Sequence, residues 1–181
     1  MNKRVKEALF VLALLLSLKV STEEDKEEHG IMVHGFVPDK AIDNMIVLKK
    51  LKIKKLGRTS FKISGNAQFK RDLPRDATAE VKIYMCRSDT TRDLIDLKVD
   101  LPRRNLCEWI ENDKQFWPQV VKKSTLPAKC SINKGVYKMD GVDLTLNEIS
   151  INATLEHYKV ALLVKDGNKD FYGVSVYVEL K

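Results

Sequence analysis

Along most of this chain apolar residues recur at every second position, and a single stretch breaks the pattern. Phe61, Ile63, Gly65, Ala67 and Phe69 alternate with polar residues almost without fault. Ala77, Ala79, Val81, Ile83 and Met85 repeat the pattern, and so do Ile95, Leu97, Val99 and Leu101. Tyr158, Val160, Leu162 and Val164 follow, then Tyr172, Val174, Val176, Val178 and Leu180. A side-chain period of two is that of a β-strand with one face buried and the other wet. Counting the less regular segments, the pattern gives about eight strands separated by short turn signals. It predicts an all-β chain, an antiparallel two-sheet β-sandwich or β-cup with one or two short helices.

The exception is residues 104–137. Apolar residues there fall at 106, 109/110, 116/117 and 120/121, which is a helical period. Asp113 sits where the apolar stripe should continue, and Pro118 interrupts the next turn, so the spacing predicts two short helices or one kinked helix. This stretch holds both tryptophans, Trp109 and Trp117, and two of the three cysteines. We expect it to cap one end of the sandwich, tied down by a Cys107–Cys130 disulfide, because those cysteines flank the helical residues. A plain connecting helix is the alternative. Cys86 ends a strand on the face of Glu80, Lys82 and Tyr84. It is either free or takes the place of one bridge partner, and an intermolecular bridge is open to it.

Residues 1–20 have the build of a secretory signal peptide. Lys3, Arg4 and Lys6 precede an apolar run from Ala8 to Leu18, too short to span a bilayer comfortably. Cleavage between Ser17 and Thr22 is expected, an uncleaved anchor being the alternative, which leaves a single β domain at 21–181 and a secreted, extracellular protein. The leader carries four basic residues and one acidic one, so the net charge of +7 falls to +4 on its removal, and nucleic acid is not an expected partner. Asn152-Ala153-Thr154 is an N-glycosylation sequon.

Between these landmarks, a first strand is expected near Ile31–Val37. Ile46, Leu48, Leu51 and Ile53 alternate with a slip of one residue after Leu48, which suggests a bulge. Lysines 49, 50, 52, 54 and 55 line that segment. They suit a guarded edge strand, or a basic patch for a membrane surface. Gly65 and Ala67 leave room for a neighbour or a ligand. Pro102 is expected to end its strand, Asp140-Gly141 to form a turn, and Asp166-Gly167-Asn168 to close a terminal hairpin.

Nothing in the chain assembles into catalytic chemistry. His29, His34 and His157 have no ligand spacing with Cys, Asp or Glu, and His157 and Glu156 point to opposite faces of a strand. There is no nucleophile elbow, zinc-protease helix or phosphate-binding glycine loop. The sequence therefore predicts a non-enzymatic protein with no catalytic residue, no metal and no cofactor. Its apolar strand faces form either a filled core or the lining of a cavity, since both use the same residue types.

The order of features has a parallel. A signal peptide and a Lys-rich early strand are followed by Ser64-Gly65-Asn66, a strand near Val81–Tyr84, and a helix bearing a cysteine. Then come Cys130-Ser131-Ile132-Asn133-Lys134-Gly135-Val136-Tyr137 and two terminal strands. This resembles small secreted insect proteins related to the ganglioside-activator and ML (lipid-recognition) folds, among them chemosensory bristle proteins. Ser131 replaces the proline common in that family's motif, and Leu155-Glu156-His157-Tyr158 lacks a glycine often found there. Cysteines are also fewer than in the ganglioside activator. The resemblance implies a β-cup with an apolar cavity, no catalysis, and binding of a lipid or hydrophobic semiochemical. Phe61, Ile63, Val81, Ile83, Met85, Ile95, Leu97 and Val99 would line the cavity, with Trp109, Phe116 and Trp117 at its mouth. The competing reading is an extracellular accessory protein with a filled core, which meets a receptor or other partner through exposed Trp and Tyr residues.

Overall fold

The computed structural model describes residues 31–57, 60–86, 94–114, 116–145 and 156–180. The leader at 1–20 and the sequon at Asn152 lie outside the described residues. Alternation becomes strand as expected. The described elements are β1 (Ile31–Pro38), β2 (Ile46–Lys55), β3 (Ser60–Phe69), β4 (Thr78–Cys86), β5 (Leu94–Asn105), α1 (Leu106–Asn112), α2 (Trp117–Lys122), β6 (Gly135–Thr145), β7 (Glu156–Asp166) and β8 (Lys169–Leu180). Two antiparallel sheets result, a five-stranded one in the order β1-β8-β7-β4-β5 and a three-stranded one in the order β2-β3-β6.

The chain passes repeatedly from one sheet to the other, and hydrogen bonds fix its crossings. After β1, the Asp39 amide donates to the Gly173 carbonyl (3.0 Å) and the Met45 amide to that of Phe171 (2.9 Å). The Gly173 amide donates to Asn44 Oδ1 (2.8 Å). The Lys70 amide donates to the Met45 carbonyl (2.8 Å), so the same segment joins both sheets. After β3, the Leu73 amide donates to the Ile132 carbonyl and the Leu106 amide to that of Ala77, each at 2.8 Å.

Three irregularities carry physical meaning. The slip read after Leu48 is a bulge: the β2–β3 register shifts between Lys49 and Lys52, and Lys50 has φ 52°. Opposite it sits Gly65 at φ 149°, where an added Cβ would lie 3.0 Å from Leu51 Cα. The room beside Gly65 is thus taken by backbone of the neighbouring strand, not by space for a ligand. Asp140-Gly141 is not a turn. β6 runs straight through it, with Gly141 at φ 64° and its amide donating to Ser64 Oγ (3.1 Å). An Asp-Gly pair serves a glycine bulge as readily as a hairpin, and the register shift opposite Ile63 and Gly65 marks it as one. Nor does Pro102 end its strand. β5 continues to Asn105 because it is an edge strand and Pro102 falls in a register shift, between the pairs Val81–Leu101 and Ala79–Arg104, where proline is tolerated.

Candidate functional site

The inner faces of the two sheets meet in one continuous cluster of buried apolar side chains. Ile46, Leu48, Leu51, Phe61, Ile63, Ala67, Phe69, Met139 and Val142 come from the smaller sheet. Ala79, Val81, Ile83, Val160, Leu162, Val164, Tyr172, Val174, Val176 and Val178 come from the larger. The single charged side chain buried among the described residues, Glu179, stands opposite His157 on the outer face of the larger sheet. Among the described residues the interior is therefore uncharged, as one-sided alternation requires.

The helical stretch spans one end. Asn105 caps α1, its Oδ1 accepting from the Glu108 amide (2.8 Å) while its Nδ2 donates to the Arg75 carbonyl (2.9 Å). Asp113 explains the break in the apolar stripe. Its carboxylate accepts from the Phe116 amide (3.0 Å) and from the Trp117 amide, so it ends one helix and caps the next. Pro118 falls in the first turn of α2, where its missing amide costs no hydrogen bond. Two short helices form, as the spacing allowed. α1 leads out of β5 in the larger sheet, and α2 packs on β6 in the smaller one. The cap thus bridges the sheets, and the Cys107–Cys130 disulfide ties its first helix to the approach to β6 (Cα–Cα 5.3 Å).

Of the residues singled out in the sequence, Phe61, Ile63, Val81 and Ile83 lie in the cluster together with Phe116 and Trp117 of the cap. Trp117 Nε1 donates to the Pro127 carbonyl (3.3 Å), which fixes its indole against the loop before Cys130. Trp109 is half-buried and packs against the same cluster. Met85 is half-buried at the far end of β4, where the pairing with β5 shifts. Ile95, Leu97 and Val99 lie on β5, and their side chains are outside the described residues. Pattern reading missed Leu73, Leu126 and Ile132, which enter the core from connecting segments that carry no period.

Cys86 is a free thiol, buried outside this cluster, on the outer face opposite His157 of β7. Burial pushes its thiol above the ordinary range, and the nearby Lys159 ammonium opposes this only in part. The Tyr84 ring lies 5.7 Å from that same ammonium. Among the described residues no group of three His, Cys, Asp or Glu side chains is placed to hold a metal ion, and no helix is long and apolar enough to cross a membrane. No protein-family model and no curated protein matches this chain.

Proposed function

We propose that this protein is exported and holds a lipid or another hydrophobic small molecule between its two sheets, without catalysing a reaction. One observation carries the reading: an uncharged interior is bounded by two sheets and spanned at one end by a disulfide-tied pair of helices. A cap joining both sheets can govern entry between them, and apolar walls bind by burial, at about 25 cal/mol per Å². Phe61, Ile63, Val81 and Ile83 are the wall residues, and Trp109, Phe116 and Trp117 stand at the cap. The likeness to ganglioside-activator and ML-type chemosensory proteins belongs to this proposal, as do removal of residues 1–20 and glycosylation of Asn152.

The test is native mass spectrometry of protein secreted from eukaryotic cells, followed by organic extraction. A lipid-sized adduct lost on denaturation is the expected result. A clean apo mass, with no thermal shift from fatty acids, glycolipids or long-chain hydrocarbons, would overturn the reading.

The second reading, a filled core acting through the surface, has its own support. Inner-face residues of both sheets, Ile63 and Val164 among them, are wholly buried within a single cluster. A native apo mass selects it.

A further inference from the structure

The smaller sheet has a second face, and its chemistry differs from that of the rest of the chain. From Asn44 to Arg71 there are nine lysines and arginines and not one carboxylate. The chain as a whole has 32 basic and 25 acidic residues, so everything outside this segment carries 23 and 25 and is slightly negative. The segment is β2, β3 and the flanking residues. Three of its cations are paired: Lys62 with Asp143 (3.5 Å), Lys70 with Asp43 (3.1 Å) and Arg71 with Asp166 (3.5 Å). Lysines 49, 50, 52, 54 and 55 are exposed and form no ion pair with any described residue.

Register turns this composition into a surface. Across the outer face run three rows: Lys49 beside Asn66 beside Lys138, then Lys52 beside Ser64, then Lys54 beside Lys62 beside Asp143. Down the edge strand the outward residues are Val47, Lys49, Lys52 and Lys54. Down its neighbour they are Gln68, Asn66, Ser64 and Lys62. Successive residues on one face of a strand lie about 7 Å apart, and neighbouring strands about 4.8 Å apart. A line of ammonium groups therefore runs parallel to a line of amides and a hydroxyl. Lys54 directly opposite Lys62 is an unfavourable pair that an edge guard does not require, because one lysine per position is enough to block strand addition.

We infer that this face binds a linear sulfated polysaccharide. Its sulfates would meet Lys49, Lys52 and Lys54 while its hydroxyls meet Asn66 and Gln68. Charge and hydrogen-bonding capacity favour this occupant over the alternatives. A bilayer-docking face places apolar or aromatic side chains among its lysines. Here the apolar side chains of this face, Val47 and Val136, flank Gln68 at one end of the rows, and the exposed Leu56 lies past the other end, so none stands between the lysines. Single-stranded nucleic acid is held by stacked aromatic rings, and none of these positions is aromatic. The inference stands apart from what the interior holds.

The probe is a size-defined heparin oligosaccharide, titrated into the full protein purified from the medium of eukaryotic cells. K49Q/K52Q/K54Q should weaken binding about tenfold or more at physiological salt and lower the salt slope by about three, as counterion release requires for polyanions. K122Q/K129Q/K169Q, the same charge loss outside β2 and β3, should change affinity less than about twofold, because only cations in contact with the bound polyanion displace its counterions. N66A/Q68A should weaken binding with the salt slope unchanged, a result that bulk charge alone does not give. In wild-type protein, heparin should shield Lys49, Lys52 and Lys54 from acetylation and leave Lys122, Lys129 and Lys169 reactive. Equal losses in the two triple variants would overturn the inference, as would uniform acetylation. So would capture by phosphatidylserine vesicles that heparin does not compete away, which would make the face a membrane contact.

Discussion

The hairpins β2–β3 and β7–β8 are built from the same material and live under different rules. Both are antiparallel pairs of strands ten to twelve residues long, with alternating apolar residues on the inner face. β7 and β8 lie inside the larger sheet, each hydrogen-bonded on both sides. Their register holds without a shift from Glu156 to Val164. Their outer face carries His157, Lys159 and Glu179 toward one end and Ala161 and Leu163 toward the other, where the crossing segment covers part of it: an added Cβ on Gly173 would strike Ile42. β2 has a single neighbour, shifts register at Lys49–Lys52, and turns five lysines to water. A strand with two partners can be apolar on both faces because nothing further can add to it. An open edge needs charge and a bulge to stay open.

If the interior is closed equally against both hairpins, Ile63→Ala and Leu162→Ala should each cost about 2–5 kcal/mol in urea unfolding. These are the largest effects expected. The comparison breaks if Ile63→Ala costs much less than Leu162→Ala. Truncation beside a space already open loses the transfer free energy of the side chain but creates no new cavity. The asymmetry would place the proposed ligand against the smaller sheet. Next in size is the tie between the sheets. C107S/C130S should cost about 3 kcal/mol, the loop-entropy value for a bridge spanning 23 residues of sequence, read from the same unfolding curves.

The two hairpins also differ in what the sequence disclosed. β7–β8 could be read directly: alternation set its inner face, and Asp166-Gly167-Asn168 set its turn. The bulge in β2 was visible too, because one slipped residue moves every later apolar side chain to the other face. Pro102 and Asp140-Gly141 were misread because each is a local signal whose meaning depends on neighbours. Proline is tolerated at a sheet edge, and Asp-Gly suits a bulge as well as a turn. The cap and its disulfide were foreseeable from the flanking cysteines. Leu73, Leu126 and Ile132 were not, since only tertiary placement buries a connecting segment. The interior's use stayed open because periodicity fixes which way a side chain points and not what it meets there.

Glycine substitution separates the hairpins by another route. Gly65→Ala should destabilise by about 1–3 kcal/mol, since its Cβ meets the β2 backbone and its φ of 149° excludes an L side chain. Gly167→Ala, with open space around it and φ 57°, should cost only the left-handed strain of about 1–2 kcal/mol. Equal melting temperatures for the two variants would mean that the bulge in β2 relaxes freely and does not fix the register of the lysine rows.

The smallest effect is electrostatic, and it reports on the acidic border of the basic face. Asp143 accepts a hydrogen bond from Lys123 (2.7 Å), which is the main reason its carboxyl lies below the ordinary value of 3.8; partial desolvation opposes this, and Lys62 adds a weaker pull. A folded-state value below the unfolded one means that the stabilisation is complete above 3.8. It is lost as pH falls through the folded-state value. An NMR titration of the carboxyl should therefore show a midpoint below 3.8 in the wild-type protein. Lys123→Gln should return it most of the way, and Lys62→Gln less, because Lys123 makes the closer contact. High salt should shrink both differences, since the groups are exposed to solvent. If Lys62→Gln proved the larger perturbation, Asp143 would belong chiefly to the lysine row of β2 and β3. The carboxylate would then neutralise the basic face from within rather than mark where it ends.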